Sequence, residues 1–221
     1  MHVVVNAATS ADGKLSSRRR EQIKISGPED FDRMDRLRAA ADAVVVGVGT
    51  VLADDPHLTL DVEDRRVQRL RNGRPGNPAR VVADSRARTP LDARILDDEA
   101  TTYLLVADAA PDDRVAALEE AGAVVVYAGD ERVDLAAGFE ALEARDVERF
   151  MVEGGGELIF SLFAAELVDE LSVYVGSLVI GGRDAPTLAD GDGFVDVDEF
   201  PRLALTDVER LDDGVVLHYS L

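Results

Sequence analysis

Six short apolar runs recur along the chain with helix-forming patterns between them: VVVNA at 3–7, AVVVG at 43–47, RVVAD at 80–84, TYLLVA at 102–107, AVVVYA at 123–128 and RFMVEG at 149–154. They are nearly continuous in Val, Leu and Ile rather than alternating, which is the pattern of strands covered on both faces. Strands of that kind, separated by helices, predict a mainly parallel sheet sandwiched in a three-layer α/β fold. The intervening PEDFDRMDRLRAAAD opens on Pro28, carries acids in its first turn, and places Phe31, Met34, Leu37 and Ala41 on one side. DDRVAALEEAG ends at Gly122, a C-cap residue, and DLAAGFEALEARD is a third helix. The pattern changes late: ELSVYVGSLVIGG, LALTDVERL and GVVLHYSL read as strands, the last two joined by an Asp212–Asp213–Gly214 turn, so the sheet acquires antiparallel C-terminal members. The polar stretch 63–78, with Gly and Pro near its end, reads as an exposed loop. At 221 residues the expectation is one domain, 1–221.

Composition narrows the function. With no Cys there is no thiol nucleophile or thiolate metal site, and His2, His57 and His218 lie in no ligand spacing, so no metal is expected. No apolar run approaches the roughly 20 residues that cross a bilayer, and no basic-then-apolar leader opens the chain; the expectation is a cytoplasmic protein with no membrane partner. The 44 Asp plus Glu outnumber 24 Lys plus Arg, giving a net charge of −20, with Lys14 and Lys24 the only lysines. Such self-repulsion is screened when the Debye length falls to about 3 Å near 1 M salt, so the charge points to a halophilic cytoplasm. No basic face is evident for nucleic acid.

The stretch VEGGGELIFSLF, 152–163, places three glycines between a strand and a helix beside one carboxylate, Glu153. One glycine suffices for a tight turn; three leave helix N–H groups open to an anionic ligand. GVGTVL and GGGELI both fail the G-x-G-x-x-G dinucleotide pattern. Yet GVGTVLADDP, ADSR and VEGGG all follow the carboxyl ends of strands, the edge where open α/β sheets hold ligands.

At TSADGKLS (9–16), VGVGTVLADDPHLTL (46–60), VVADSRARTPLDARIL (81–96) and VEGGGELIFSLFAAELVDELSVYVGSLVIGG (152–182) the chain resembles the archaeal and fungal 2,5-diamino-6-ribosylamino-4(3H)-pyrimidinone 5′-phosphate reductases. These are similar to the reductase half of the bifunctional bacterial riboflavin deaminase-reductase. The resemblance implies a dihydrofolate reductase-like fold, a homodimer, a phosphorylated ribosylaminopyrimidine as substrate, and NADPH as cofactor, with NADH the other possibility. By position it assigns Thr9, Thr50, Asp54, Ser85, Arg86, Gly155, Gly156, Glu157 and Leu158 to the cofactor, with Arg86 suited to a 2′-phosphate. Lys24, Ser26, Arg38 and Leu58 fall at substrate positions, Arg38 toward the ribose phosphate and Leu58 against the base. Glu153 and Asn6 are the candidate catalytic residues, Glu153 stabilising an iminium cation and Asn6 holding a sugar hydroxyl. Structural readings stand beside these: Thr50 as a helix N-cap, Asp54 as a turn residue, Arg86 and Arg38 as solvated charges, and Glu153 as a sheet-end carboxylate satisfied by helix N–H groups. Asn6 and Asp61 occupy positions that are basic in many bacterial relatives, so the bacterial phosphate contacts are not carried over. Two rival functions remain: a dihydrofolate or pterin reductase using Glu29, Asp30 or Asp32 as acid, and a nucleotide-binding protein without catalysis.

Overall fold

The computed structural model describes residues 1–21 and 23–221. Its elements are β1 (His2–Ser10), α1 (Pro28–Ala40), β2 (Ala43–Gly47), α2 (Val48–Asp54), α3 (Glu63–Arg71), β3 (Ala79–Ala83), β4 (Thr102–Val106), α4 (Asp112–Glu120), β5 (Val124–Tyr127), α5 (Leu135–Glu143), β6 (Arg149–Gly154), α6 (Gly156–Ala164), β7 (Glu170–Gly176), β8 (Ala204–Leu211) and β9 (Gly214–Ser220). Every apolar run is a strand, five of them within a residue of their expected bounds, and β1 extends three residues beyond its run to Ser10. The expected α/β class, mostly parallel with antiparallel C-terminal strands, is what forms. Residues group into two compact units, one of Met1 and Asp35–Met151, the other of His2–Met34 and Val152–Leu221, where the sequence reading treats 1–221 as one domain.

In the first unit the strands run β5–β4–β3–β2, all parallel. Val44 and Val46 of β2, Val82 of β3, and Leu104 and Val106 of β4 share one core with Val48 and Val51 of α2 and Val115 and Leu118 of α4. Alternate strand residues thus fill one side, and Val45 and Val81 between them are equally buried, which is why these runs are continuous. Gly47 lies in register with Ala83, so the segments after β2 and β3 leave neighbouring strands at the same edge.

Residues 63–71 are helix α3, not the loop that their polarity predicts. The docking face of this helix is made of arginines rather than apolar side chains. Arg65 Nη1 bonds Asp35 Oδ2, and Arg69 donates from Nε to the Pro75 carbonyl and from Nη1 to the carbonyls of Ala39 and Ala41. Arg69 thereby satisfies carbonyls left open at the C-terminus of α1, a role guanidinium performs with several fixed donors. Burial, followed by the neighbouring Arg74 charge, pulls the Arg69 pKa down to about 10. Helix α1 itself departs from its expected apolar stripe. Phe31 is 43% exposed, whereas Asp30, Arg33 and Asp35 are 5%, 6% and 1% exposed.

In the second unit β1 pairs parallel with β7, and β9 and β8 follow antiparallel, the β8–β9 turn at Asp212–Asp213–Gly214 closing as predicted. That turn also caps α1. Asp212 accepts from the N–H groups of Glu29 (3.2 Å) and Asp30 (3.1 Å), while Glu29 Oε2 accepts from Asp212 N–H (3.3 Å). This reciprocal arrangement does what a capping box does, with the cap supplied from 182 residues away. Gly27 is glycine because a Cβ there would lie 2.4 Å from the Asp212 carboxyl carbon. The cap fixes how α1 enters, and so which of its residues meets the sheet.

Candidate active site

In the second unit a buried polar group lies between α1 and the strands. Asn6 on β1 and Ser172 on β7 are register partners, so their side chains leave the same sheet face. Arg33 reaches both: Nη2 donates to Asn6 Oδ1 at 2.7 Å and Nη1 to Ser172 Oγ at 2.8 Å. Its Nε donates to Asp30 Oδ1 at 2.9 Å, and Nη2 lies 2.9 Å from the same oxygen. Asn6 was legible as a site candidate; Arg33, Asp30 and Ser172 as its partners were not. The one signal available was the i, i+3 spacing of Asp30 and Arg33.

The glycine turn belongs to the same unit. Gly154 has φ 135° and its peptide to Gly155 is cis; Gly155 is the N-cap of α6, with no side chain capping the helix. Glu153 is half-buried just before it, Glu157 exposed in the first turn, and Leu158 buried. Gly156 has a cause within the chain: a Cβ there would stand 2.5 Å from the Thr187 carbonyl oxygen and 3.0 Å from Asp190 Oδ2. The loop is tied down by Asp190 N–H to the Gly156 carbonyl, and by Asp190 Oδ1 accepting from Thr187 N–H. Next to it the segment after β1 is zipped on, with Leu15 N–H donating to the Pro186 carbonyl and Lys14 Nζ to the Ala185 carbonyl. Of the remaining candidates here, Thr9 and Ser26 are buried and Lys24 exposed.

Asp12 anchors a further loop. It accepts from Ser10 Oγ, Ile180 N–H and Gly181 N–H, and these bonds, the Ser10 hydroxyl foremost, lower its pKa to about 2. A carboxyl depressed by folding adds stability above its unfolded pKa and loses it as pH falls through the folded one. The amide signals of Ile180 and Gly181 are therefore expected to titrate with a midpoint near 2. In Asp12→Asn, whose side chain does not ionise, that titration is expected to disappear. Amides that shift instead near pH 4, the ordinary carboxylate range, would refute this anchoring.

In the first unit Gly47 is the N-cap of α2 and Thr50 is its third residue, so Thr50 is not the N-cap. A Cβ on Gly49 would meet nothing within 4 Å, so no packing among the described residues requires a glycine there. An uncapped helix start with an open approach has the donors a phosphate takes. Asp54 ends the helix, and desolvation pushes its carboxyl up although the side chain reaches the surface. After β3, buried Asp84 shapes the next turn through one oxygen, which accepts Thr89 N–H at 2.7 Å and Thr89 Oγ at 2.8 Å. Ser85 Oγ accepts Val133 N–H, and Arg86 stands exposed. Arg38 Nη1 holds the Thr59 carbonyl at 2.9 Å. Leu58, assigned to the substrate base, is packed in the core at 2% exposure with φ 56°, an unusual conformation for a branched side chain.

Residues 1–217 match the family described as RibD C-terminal domain. The chain belongs to this family. Among RibD C-terminal domain proteins, it is 47% identical to the 2,5-diamino-6-ribosylamino-4(3H)-pyrimidinone 5′-phosphate reductase of Archaeoglobus fulgidus, over 96% of this chain and 94% of that one. It is 42% identical to the reductase of the same name from Methanothermobacter thermautotrophicus, over 100% and 98%. In fold it matches a pyrimidine reductase-like protein from Corynebacterium diphtheriae with a TM-score of 0.86 at 22% identity, covering 99% of this chain and 91% of that one.

Proposed function

We propose that this RibD C-terminal domain protein reduces 2,5-diamino-6-ribosylamino-4(3H)-pyrimidinone 5′-phosphate to its ribitylamino product in riboflavin biosynthesis, with NADPH as cofactor. The observation that carries the reading is near-full-length identity of 47% and 42% to two reductases of that name. When bound, the cofactor supplies hydride chemistry at C1′ of the ring-opened sugar imine. The chain's own residues then bind, orient and stabilise charge. Gly155 and Gly156, with Glu157 and Leu158, receive the pyrophosphate at the start of α6; Thr9, Thr50 and Asp54 contact the cofactor; Ser85 and Arg86 take its adenosine end, Arg86 pairing with the 2′-phosphate. Glu153 stabilises the iminium cation, Asn6 donates to a sugar hydroxyl oxygen, and Lys24, Ser26, Arg38 and Leu58 shape the substrate side.

A pterin reductase on the same fold would draw on an acid in α1. Of the buried acids there, Asp30 already takes two contacts from Arg33 and Asp35 accepts from Asp61 N–H and Arg65, and the Glu29 carboxylate takes the Asp212 N–H, which favours the sugar-imine reading. The test follows NADPH and NADH oxidation with the ribosylaminopyrimidine phosphate and with dihydrofolate, from low salt to molar KCl, with product mass and sedimentation measured in parallel. Expected are a two-hydrogen mass gain on the pyrimidine alone, a preference for NADPH, activity and thermal stability rising with KCl, and a homodimer. Turnover of dihydrofolate only would reverse the assignment.

A further inference from the structure

We infer that Arg33 is a positioning residue that dictates which end of the Asn6 carboxamide meets the ligand. The inference rests on the reductase reading above. A guanidinium carries five donors, accepts nothing and stays charged, so it can bond only to the oxygen end of an amide. With Nη2 2.7 Å from Asn6 Oδ1, rotating the carboxamide by half a turn would set N–H against N–H. The NH2 group is therefore held away from Arg33, and Asn6 faces any ligand as a donor. Asn6 is buried at 7% exposure, so a ligand would reach it only through that small exposed part. What it recognises must offer an acceptor, and a hydroxyl oxygen of the open-chain sugar has that chemistry.

The guanidinium is itself locked. Asp30 holds its Nε edge, Ser172 takes Nη1, and the bond to Asn6 uses Nη2, so its plane is fixed by partners on α1, β7 and β1. A lysine at this position retains the charge for Asp30, yet one ammonium cannot reproduce the flat three-sided contact. Arg33→Lys should leave Asn6 free to present either end, and kcat should fall with the KM for the cofactor unchanged.

A double-mutant cycle on kcat with the full-length enzyme separates orientation from mere structure. Asn6→Leu and the near-isosteric Asn6→Asp, which keeps an oxygen toward Arg33 but has no donor, are each expected to lower kcat about tenfold or more, the scale of a lost charged-network hydrogen bond. Arg33→Lys is expected to lower it about tenfold, and the Asn6→Leu/Arg33→Lys pair no further than Asn6→Leu alone. Ser172→Ala, which removes one anchor without changing charge, should shift kcat in the same direction by less; it serves if Arg33→Lys melts early. Multiplicative losses in the pair, or wild-type kcat in both Arg33→Lys and Ser172→Ala beside an impaired Asn6→Leu, would overturn the positioning role and leave the reductase reading intact. Full activity of Asn6→Leu would remove the role of Asn6 and this inference together. A wild-type chain that never reduces the pyrimidine would instead sink the reading beneath both.

Discussion

Replacing Glu153 by Gln is expected to lower kcat by about 10²–10³ while the dissociation constant for NADPH stays within about twofold, the range seen when one group that stabilises developing charge is lost. The side chain stands at the end of β6, one residue before a turn whose donors are backbone N–H groups. A carboxylate there would repel the cofactor's phosphates, so the role proposed for it is toward a cation. The iminium formed when the ribosylamine opens is such a cation, and it gains more from a negative charge on a half-buried side chain than from one fully in water. Gln keeps the shape and removes the charge. Single-turnover kinetics at saturating cofactor, with a fluorescence titration for NADPH, separates the two effects. Losses of equal size in kcat and in cofactor affinity would place Glu153 in the cofactor turn instead.

Much of the scaffold was legible because burial on both faces leaves a simple mark. Val44, Val45 and Val46 are all fully buried, and three such residues in a row do not fit a strand with one face in water. The Asp212–Gly214 hairpin was readable for a similar reason, since short polar turns between strands have a narrow vocabulary. What failed was the assumption that a helix shows its inward face by apolar spacing. Helices α1 and α3 dock through Asp30, Arg33, Asp35, Arg65 and Arg69, residues that a periodicity argument assigns to water. Apart from the i, i+3 pair of Asp30 and Arg33, their partners are backbone carbonyls and side chains far away in sequence, which no local pattern announces. The glycines divide in the same way. Gly156 is required by Thr187, 31 positions on, whereas no packing among the described residues requires Gly49, and the sequence alone does not tell these two cases apart.

Asp30→Ala is expected to cost about 3–5 kcal/mol of folding stability, the usual penalty for leaving one member of a buried ion pair without its counter-charge. Both side chains of the pair are 7% exposed, so solvent screening offers Arg33 little relief. The helix start should survive, because Asp212 accepts from the N–H groups of residues 29 and 30, which the substitution retains. The loss is therefore attributable to Arg33 and not to a frayed α1. Two comparisons sharpen the measurement. Removing both charges, as Asp30→Leu with Arg33→Met, should cost less than Asp30→Ala alone, since the stranded charge disappears with its partner. And in urea titrations at low and at molar KCl the penalty should hardly change, because salt screens exposed charges over about 3 Å near 1 M but does not enter a buried pair. For a protein carrying −20, most surface electrostatics fade across that salt range. A penalty below about 1 kcal/mol, the value of an exposed pair, would mean that water reaches Arg33 and that its grip on Asn6 is loose.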